Sequence, residues 1–252
     1  MPSRARPKTF LGVDIGGTGI KGAPVDLASG KLTADRLRIE TPHPATPAAV
    51  AGVVAEIVHH FNWRGRFGCT VPAVVRDGVT LTAANIDKSW IGADGRDVLA
   101  KQTGCPVTLL NDADAAGVAE MRFGAGKGRR GLVVIVTLGT GIGSALFHDG
   151  KLIPNSELGH LEIRGKDAEE RATDRVRQEK DMSWEKWASH VEEYLDRLEA
   201  LLYPDLFIIG GGVSRKPEKF LPLIHVDTEV VPALLQNEAG IVGAALAAAA
   251  EG

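Results

Sequence analysis

The chain has 252 residues, of which 44% are hydrophobic and 24% charged, and its formal net charge is -3. This composition is typical of a globular protein and excludes a disordered, collagen-like or disulfide-rich chain. The length exceeds the usual size of one domain and predicts two lobes, and the negative charge means that an anionic ligand must be bound by local groups.

The N-terminal segment, MPSRARPKTF, is basic but is not followed by an apolar region with a cleavage site. The sequence contains no apolar run of about 20 residues that could cross a membrane. Cys69 and Cys105 are too few for a disulfide framework and are as expected in a reducing compartment. We therefore expect a cytoplasmic protein.

The first half of the chain predicts strands alternating with helices. Thr9 to Asp14 reads as a buried strand, IGGTGIKG as a turn, and GAPVDL with Ser29-Gly30 as a hairpin. Thr46 and Pro47 are typical of a helix start, and this helix is expected to run to about His60. There follow a strand near Phe67 to Val71, a loop from Asp77 to Gly95, a helix from Asp97 to Thr103 and a strand from Pro106 to Leu110.

The second half repeats this pattern. The predicted elements are a helix from Ala113 to about Phe123, a basic loop GAGKGRRG, a strand from Leu132 to Leu138, and a hairpin turning at Asp149-Gly150. Residues 166–180 have charges of mixed sign and are expected to form a solvated loop or helix face. The last elements are a helix from Ser183 to Leu202 with Trp184 and Trp187 in the core, a strand from Leu206 to Ile209, and a helix from about Ala239 to Ala250.

Two strand-turn-strand units, each with glycines at its first turn, predict a duplicated α/β fold of two similar lobes around a cleft. We expect residues 1–111, with a C-terminal helix of about 238–252, to form a smaller N-terminal lobe. Residues 112–237 are then expected to form a larger C-terminal lobe.

Both glycine turns have the residues that bind phosphate. In DIGGTGIK (14–21) and TLGTGIGS (137–144), a strand ends in glycines whose amides can close around phosphate oxygens, and Thr18 and Thr140 add hydroxyl donors. A carboxylate repels phosphate, so Asp14 is expected to orient a magnesium ion through water. Ordinary hairpin turns are the alternative explanation of these glycines.

Asn111 and Asp112 stand where a strand leaves the sheet, the usual place for ligands in an open α/β sheet. A carboxylate at this place, Asp112, can accept a hydroxyl proton. Alternatively, the pair caps the next helix, a role for which Asp114 is the better candidate.

The segment NSELGHLE, residues 155–162, brings two carboxylates and an imidazole into one turn. With Asn85, these planar groups are of the kind that bind sugar hydroxyls. His160 could instead be a metal ligand or a structural residue, but neither a cysteine pair nor HExxH spacing supports a metal.

These strings, in this order, resemble the ROK family of sugar kinases and repressors over nearly the whole chain. FLGVDIGGTGIKGAPVD, AANIDKSWIG, LLNDADAAGVAEM, TLGTGIGSAL and NSELGH are similar in particular to the polyphosphate-using glucokinases of actinobacteria within that family. The resemblance implies an actin-like (ribonuclease H-like) fold. It also implies a Mg²⁺-dependent, dimeric enzyme that phosphorylates glucose at its 6-hydroxyl with inorganic polyphosphate, or ATP, as donor.

By matching position, the resemblance implies that Asp112 is the general base. The glucose ligands would be Asn85, Asn111, Asp112, Glu157, His160 and Glu162. The donor phosphates would be bound by Asp14, Gly16, Gly17, Thr18 and Lys21, by Gly139, Thr140, Gly141 and Gly143, and by Gly211 and Gly212. For the run from Gly210 to Gly212, close packing of a helix on a strand is the alternative.

The chain departs from many family kinases after His160, where LEIRGKDAEERA lacks the cysteines of a zinc motif, and we expect no structural zinc site. The repressor branch has a helix-turn-helix ahead of the kinase domain, for which we expect no room here. Lys127, Arg129 and Arg130 are a candidate polyphosphate patch, with a solvated basic loop as the alternative. Two other functions stay open: a strictly ATP-dependent hexose or N-acetylhexosamine kinase, and a non-catalytic sugar-sensing regulator.

Overall fold

The computed structural model describes residues 9–84 and 86–251. The chain divides into two compact units, one formed by residues up to Ala119 together with those from Glu238 onwards, the other by Glu120–Asn237. In the part of the chain that the structure describes, no helix combines the length and the apolar character needed to span a membrane.

In chain order, the strands are β1 (Thr9–Ile15), β2 (Ile20–Asp26), β3 (Leu37–Ile39), β4 (Phe67–Val71), β5 (Val75–Arg76), β6 (Val79–Thr80), β7 (Val107–Asn111), β8 (Leu132–Leu138), β9 (Ile142–His148), β10 (Lys151–Ile153), β11 (Glu162–Ile163), β12 (Lys166–Asp167), β13 (Leu206–Gly210) and β14 (Val230–Pro232). The α-helices are α1 (Pro47–His60), α2 (Gly95–Thr103), α3 (Asp112–Phe123), α4 (Glu169–Ala172), α5 (Asp174–Glu179), α6 (Trp184–Leu202) and α7 (Ala239–Glu251).

The first unit is built on a five-stranded sheet in the order β3-β2-β1-β4-β7. The first three of these strands are antiparallel neighbours, and β4 and β7 run parallel to β1. Because successive side chains of a strand point to opposite faces, β1 presents Leu11, Val13 and Ile15 to the core that α1 helps to form. Gly12 and Asp14 lie on the other face, next to α7.

The second unit repeats this plan with a sheet in the order β10-β9-β8-β13-β14. Again, three antiparallel strands are followed by two that run parallel to the central one. Helix α6 contributes Trp187, Val191, Leu195 and Leu198 to the core, all fully buried. The mixed α/β fold with a repeated sheet, predicted from the two glycine turns, is confirmed.

The division between the units falls within α3, whereas the sequence predicts it just before that helix. The early part of α3 packs under α7, since a Cβ added at Gly243 would lie 1.8 Å from the carbonyl oxygen of Ala115. The later part belongs to the second unit, because the buried Glu120 carboxylate accepts hydrogen bonds from the Ala125 and Leu235 amides. Packing, rather than the helix boundary, sets the division.

Local signals predict several element ends correctly. The Thr46 side chain accepts a hydrogen bond from the Ala49 amide and begins α1, as expected of an N-cap. Gly104 ends α2 in the left-handed conformation. Residues 166–180 were predicted less well, because two short helices form there and bury Ala172, Thr173 and Val176.

Close packing of α7 on the first sheet predicts a strong effect of a single methyl group. A Cβ added at Gly68 of β4 would lie 1.8 Å from the Ala244 carbonyl oxygen, and this backbone cannot move away without displacing α7. We expect Gly68→Ala to lower the free energy of unfolding by about 1–3 kcal/mol, as overpacked cores do.

Gly52→Ala in α1 is the matched control for this substitution. Among the residues that the structure describes, an added Cβ there meets no atom within 4 Å, and alanine is favoured over glycine inside a helix by about 1 kcal/mol. Urea unfolding of both variants measures the difference. Equal stability of Gly68→Ala and the parent protein would contradict the close approach.

Candidate active site

The predicted site residues lie in both units. In the first unit, the turn between β1 and β2 closes with a hydrogen bond of 3.1 Å from the Gly16 amide to the Gly19 carbonyl. The Thr41 hydroxyl donates to the Gly16 carbonyl at 2.5 Å. Gly17 and Thr18 are exposed at the tip, and within residues 9–84 and 86–251 nothing accepts a hydrogen bond from their amides. The turn therefore offers two amides to an anion.

The Asp14 carboxylate lies beside this turn and is well anchored. Its Oδ1 accepts a hydrogen bond of 2.8 Å from the Thr70 hydroxyl, and its Oδ2 pairs with the Lys21 ammonium at 2.8 Å. The start of α7 lies against the carboxylate, since a Cβ added at Gly240 would be 2.8 Å from its carbon. The side chain is 15% exposed, so it stays accessible from the turn.

Asp14 also fits the predicted magnesium site. Among the described residues, no group of three or more His, Cys, Asp or Glu side chains is placed to hold a metal ion. Magnesium that binds with a phosphate, however, needs only one or two protein carboxylates, because phosphate and water oxygens supply the other ligands. Each Asp14 oxygen has one partner described above and can accept a second hydrogen bond, so a metal-bound water can be held here.

Asn111 and Asp112 stand at the junction of β7 and α3, as predicted, and Asn111, rather than Asp114, caps the helix. The Asn111 Oδ1 accepts hydrogen bonds from the Ala113 and Asp114 amides, at 2.8 and 3.0 Å. Its Nδ2 donates to the Ala73 carbonyl at 3.1 Å. Asp114, the predicted cap, is instead buried in the first turn of the helix, so that prediction was wrong.

Asp112 is the first residue of α3 and is half-buried. Its Oδ1 accepts a hydrogen bond of 2.9 Å from the Ala113 amide. The Asn111 Oδ1 accepts from the same Ala113 amide, so the cap formed by Asn111 fixes the backbone on which Asp112 stands and shares one donor with it. Asn85, predicted as a further sugar ligand, lies outside the described residues.

In the second unit, the turn between β8 and β9 closes with a hydrogen bond from the Gly139 amide to the Gly141 carbonyl, 3.0 Å long. Thr140 is exposed at its tip, and Gly143 is paired with Thr137 within the hairpin. The turn is braced by the segment predicted to be solvated. The Arg175 amide donates to the Gly139 carbonyl at 3.2 Å, and the Ile142 amide donates to the Glu169 carboxylate at 3.4 Å.

The predicted sugar-binding turn is fixed to β9. The Leu158 amide donates to the Ser144 hydroxyl at 3.0 Å, and a Cβ added at Gly159 would lie 2.5 Å from the Ile142 carbonyl oxygen. Glu157 and His160 are thereby brought together, with 3.9 Å between the Glu157 Oε2 and the His160 Nε2. Glu162 is exposed on β11 and forms neither a hydrogen bond nor an ion pair with either of them within the described residues.

The protonation of this pair is set by its neighbours. The His160 Nδ1 makes a hydrogen bond of 2.8 Å to the Asp167 carboxylate, which raises the pKa of His160; the charges of Glu169 and Glu157 add to that effect. Burial raises the pKa of Glu157, and the charge of Glu169 raises it further, against the influence of His160. Both side chains therefore hold a proton more readily than usual.

Glu169 is a residue that the sequence interpretation missed. Its carboxylate is close enough to raise the pKa of both Glu157 and His160 and also accepts the hydrogen bond from the Ile142 amide at the second glycine turn. The mixed charges of residues 166–180 indicate a solvated segment and give no sign of this contact. Helical spacing could have identified α4, since Ala168 and Ala172 are both buried.

The remaining candidates in the second unit have clear local roles. Gly211 has φ +84°, and a Cβ there would lie 2.4 Å from the Leu138 carbonyl oxygen, so glycine allows β13 and β8 to end close together. Gly212 begins a 3-10 turn, and a Cβ there would meet no atom of the described part of the chain within 4 Å.

The basic loop is partly compensated by acidic side chains. Arg129 makes two hydrogen bonds of 2.8 Å to the Glu229 carboxylate. Asp149 has a lowered pKa because its carboxylate accepts a hydrogen bond from the Gly131 amide, and the nearby His148 and Arg130 lower it further. Lys127 is exposed and forms no ion pair with any residue that the structure describes. The predicted patch is therefore weaker than its three cations suggest.

Known proteins similar to this chain were identified by sequence and by structure. The model of the ROK family matches residues 10–175. A polyphosphate glucokinase of Mycobacterium tuberculosis (strain CDC 1551 / Oshkosh) is 55% identical over 251 residues, 99% of this chain and 95% of that protein.

Two solved structures extend the similarity. The inorganic polyphosphate/ATP-glucomannokinase of Arthrobacter sp. strain KM matches with a TM-score of 0.94 and 48% identity, over 98% of this chain and 100% of that one. A ROK family glucokinase from Streptomyces griseus, in complex with glucose and AMPPNP, matches with a TM-score of 0.82 and 26% identity, over 97% of this chain and 100% of that one.

Loss of the Asp167 carboxylate should lower the pKa of His160 towards its ordinary value, because the hydrogen bond between them is the main cause of the raised pKa. Two-dimensional NMR titration of Asp167→Asn measures this. A raised histidine pKa stabilises the fold at pH values below the ordinary one of about 6.5, and this contribution is lost as the pH rises through the folded-state pKa. The free energy of unfolding of the variant should therefore be lower than that of the parent protein mainly at pH values below about 6.5.

Glu162→Gln provides the matched control, because Glu162 pairs with Asp167 across the β11-β12 hairpin and carries the same charge. It is not among the groups that shift His160. A titration curve for His160 that is the same in both variants would exclude the proposed cause.

Proposed function

Since the chain belongs to the ROK family, we propose that it is a polyphosphate glucokinase, which transfers a phosphoryl group from inorganic polyphosphate, or from ATP, to the 6-hydroxyl of glucose. The observation that carries this proposal is the similarity, over nearly the full length of both chains, to a polyphosphate glucokinase. The similarity to a solved polyphosphate/ATP kinase supports the same donors.

The two glycine turns bind the donor phosphates in this proposal. At the first, the amides of Gly17 and Thr18 and the Thr18 hydroxyl are available, and Gly16 and Lys21 hold the turn and Asp14 in place. At the second, Gly139 and Gly141 close the turn with a hydrogen bond, and Thr140 is exposed at its tip. Backbone amides suit this task because they are fixed before the anion arrives and carry no charge that must first be desolvated.

Asp14 is the residue that would hold a magnesium ion, through a bound water. When bound, the ion neutralises part of the charge on the donor phosphates. The chain's own contribution is to orient the Asp14 carboxylate through the Thr70 hydroxyl and the Lys21 ammonium. Gly211 and Gly212 lie at the end of β13 and complete the donor-binding set in the second unit.

Asp112 is the general base. As the phosphoryl group bonds to the glucose 6-oxygen and the bond to the donor's bridging oxygen breaks, the hydroxyl proton passes to the Asp112 carboxylate. The products are glucose 6-phosphate and a donor shorter by one phosphate. Asn111 positions this base through the helix cap and has one Nδ2 hydrogen left for a sugar oxygen.

Glu157, His160 and Glu169 bind the sugar hydroxyls, with Asn85 and Glu162 as further candidates. A charged His160 donates from both nitrogens, one towards Asp167 and the other towards a sugar oxygen. A neutral His160 that still donates to Asp167 has only an acceptor at Nε2. Its raised pKa therefore favours the donor form over a wider pH range.

Asp112→Asn tests the base. The amide keeps an oxygen to accept from the Ala113 amide but cannot take the proton, so kcat should fall by about 10²–10⁴-fold, the usual contribution of general base catalysis. Calorimetry should give a glucose affinity near that of the parent protein. Asp35→Asn, at an exposed acid in the same unit, is the control. Turnover within tenfold of the parent protein would exclude Asp112 as the base.

A donor panel tests the reaction itself. Purified protein with glucose, magnesium and nucleotide-free polyphosphate should form glucose 6-phosphate, measured by a coupled dehydrogenase assay. Asp112→Asn serves as the blank. Activity with ATP alone would favour the strictly ATP-dependent hexose or N-acetylhexosamine kinase. Assays with mannose and with N-acetylglucosamine as acceptors would then distinguish between these two. Sugar binding without turnover on any donor would favour the non-catalytic regulator.

Three further expectations accompany this function. A cytoplasmic location agrees with two buried, free cysteines. A homodimer is expected from the family resemblance. Lys127 and Arg130 are proposed to help attract a long polyphosphate, whereas Arg129 is engaged with Glu229.

A further inference from the structure

Arg38 of β3 lies against the first glycine turn, although 20 residues separate it from Thr18. The antiparallel pairing of β2 and β3 places Arg38 directly opposite Lys21. One guanidinium nitrogen, Nη2, donates a hydrogen bond of 2.8 Å to the Thr18 carbonyl. The sequence interpretation gave this residue no role, because only the strand pairing brings it to the turn.

The guanidinium also lies on the backbone of the turn. A Cβ added at Gly19 would be 2.6 Å from the Arg38 Nε and 2.7 Å from its Cζ and Nη2. Glycine at this position therefore leaves the space that the guanidinium occupies. The group is held in one place by the hydrogen bond at one edge and by the turn beneath it.

Arg38 and Lys21 differ in their ion pairing. Lys21, the cation that the sequence suggests for phosphate binding, is paired with Asp14 at 2.8 Å, and these two charges compensate each other. Within the described residues, no carboxylate forms an ion pair with Arg38, which is exposed. Of these two cations, Arg38 is therefore the one whose charge is not engaged in an ion pair within the described residues.

We propose that Arg38 binds a phosphate group of the donor at the first glycine turn, together with the amides of Gly17 and Thr18. An arginine has five N–H donors in a planar fork, and the contact to Thr18 uses one of them. The others can bind phosphate oxygens in pairs. The ligand is a chain of phosphates, the feature that polyphosphate and ATP share. This inference rests on the proposed function for the identity of the donor.

Direct binding of tripolyphosphate, without glucose and therefore without turnover, tests the assignment. Calorimetry at constant ionic strength and magnesium concentration should show about 10- to 100-fold weaker binding for Arg38→Gln, the usual effect of losing hydrogen bonds to a charged group. Arg36→Gln is the matched control: Arg36 is exposed, lies two residues earlier and carries the same charge. It should bind within about twofold of the parent protein, because Arg36→Gln removes the same charge but keeps the guanidinium that lies on the turn and its hydrogen bonds.

Steady-state kinetics separate binding from bracing of the turn. If Arg38 binds the donor, Arg38→Gln raises the donor KM, leaves the glucose KM unchanged, and loses part of the salt dependence of tripolyphosphate binding. If it only holds the Thr18 carbonyl, kcat and thermal stability fall while tripolyphosphate affinity stays equal to that of Arg36→Gln. That second result overturns the proposal.

Failure of the proposed function gives a different pattern. A parent protein that forms no glucose 6-phosphate from any donor, yet binds tripolyphosphate in an Arg38-dependent manner, would contradict the kinase proposal and support the anion site. A parent protein that is active with polyphosphate, and whose Arg38→Gln variant binds tripolyphosphate normally, would contradict the Arg38 assignment alone.

Discussion

The Asp14 carboxylate is the interaction on which the architecture of the first unit depends. It accepts from the Thr70 hydroxyl at the end of β4, pairs with Lys21 at the start of β2, and lies against Gly240 at the start of α7. One side chain thus joins strands β1, β2 and β4 to the C-terminal helix. The same contacts engage Lys21 in an ion pair, whereas Arg38, the other cation at the glycine turn, hydrogen-bonds the Thr18 carbonyl and forms no ion pair within the described residues.

Features with a local cause could be predicted from the sequence. The Thr46-Pro47 helix start, the Gly104 helix end and the Asp149-Gly150 hairpin each depend on backbone preferences within a few residues. The two glycine turns could be recognised for the same reason, because each follows an apolar strand and repeats the other. Repetition then predicted the duplicated sheet, which needs no knowledge of side-chain contacts.

Features that depend on distant partners could not be predicted. The helix cap is Asn111 rather than Asp114, because the Asn111 amide also reaches the Ala73 carbonyl, 38 residues earlier. Glu169 approaches Glu157 and His160 only after α4 has packed, so its mixed-charge surroundings suggested a solvated segment. Arg38 reaches the glycine turn only because the β2-β3 register places it opposite Lys21. In each case the sequence gives the residue type but does not show which distant residue it contacts.

The return of α7 to the first unit has a consequence for folding during translation. Residues 120–237 are contiguous, so the second unit can fold as soon as it has left the ribosome. The first unit cannot be completed then, because the face of its sheet that carries Gly12 and Gly68 packs against α7, which begins at Ala239. Its apolar surface stays uncovered until the last segment has been synthesised. Closing a contact between residues so far apart in the chain has a high entropic cost and is therefore slow. The N-terminal half of the polypeptide is thus the last to reach its native state.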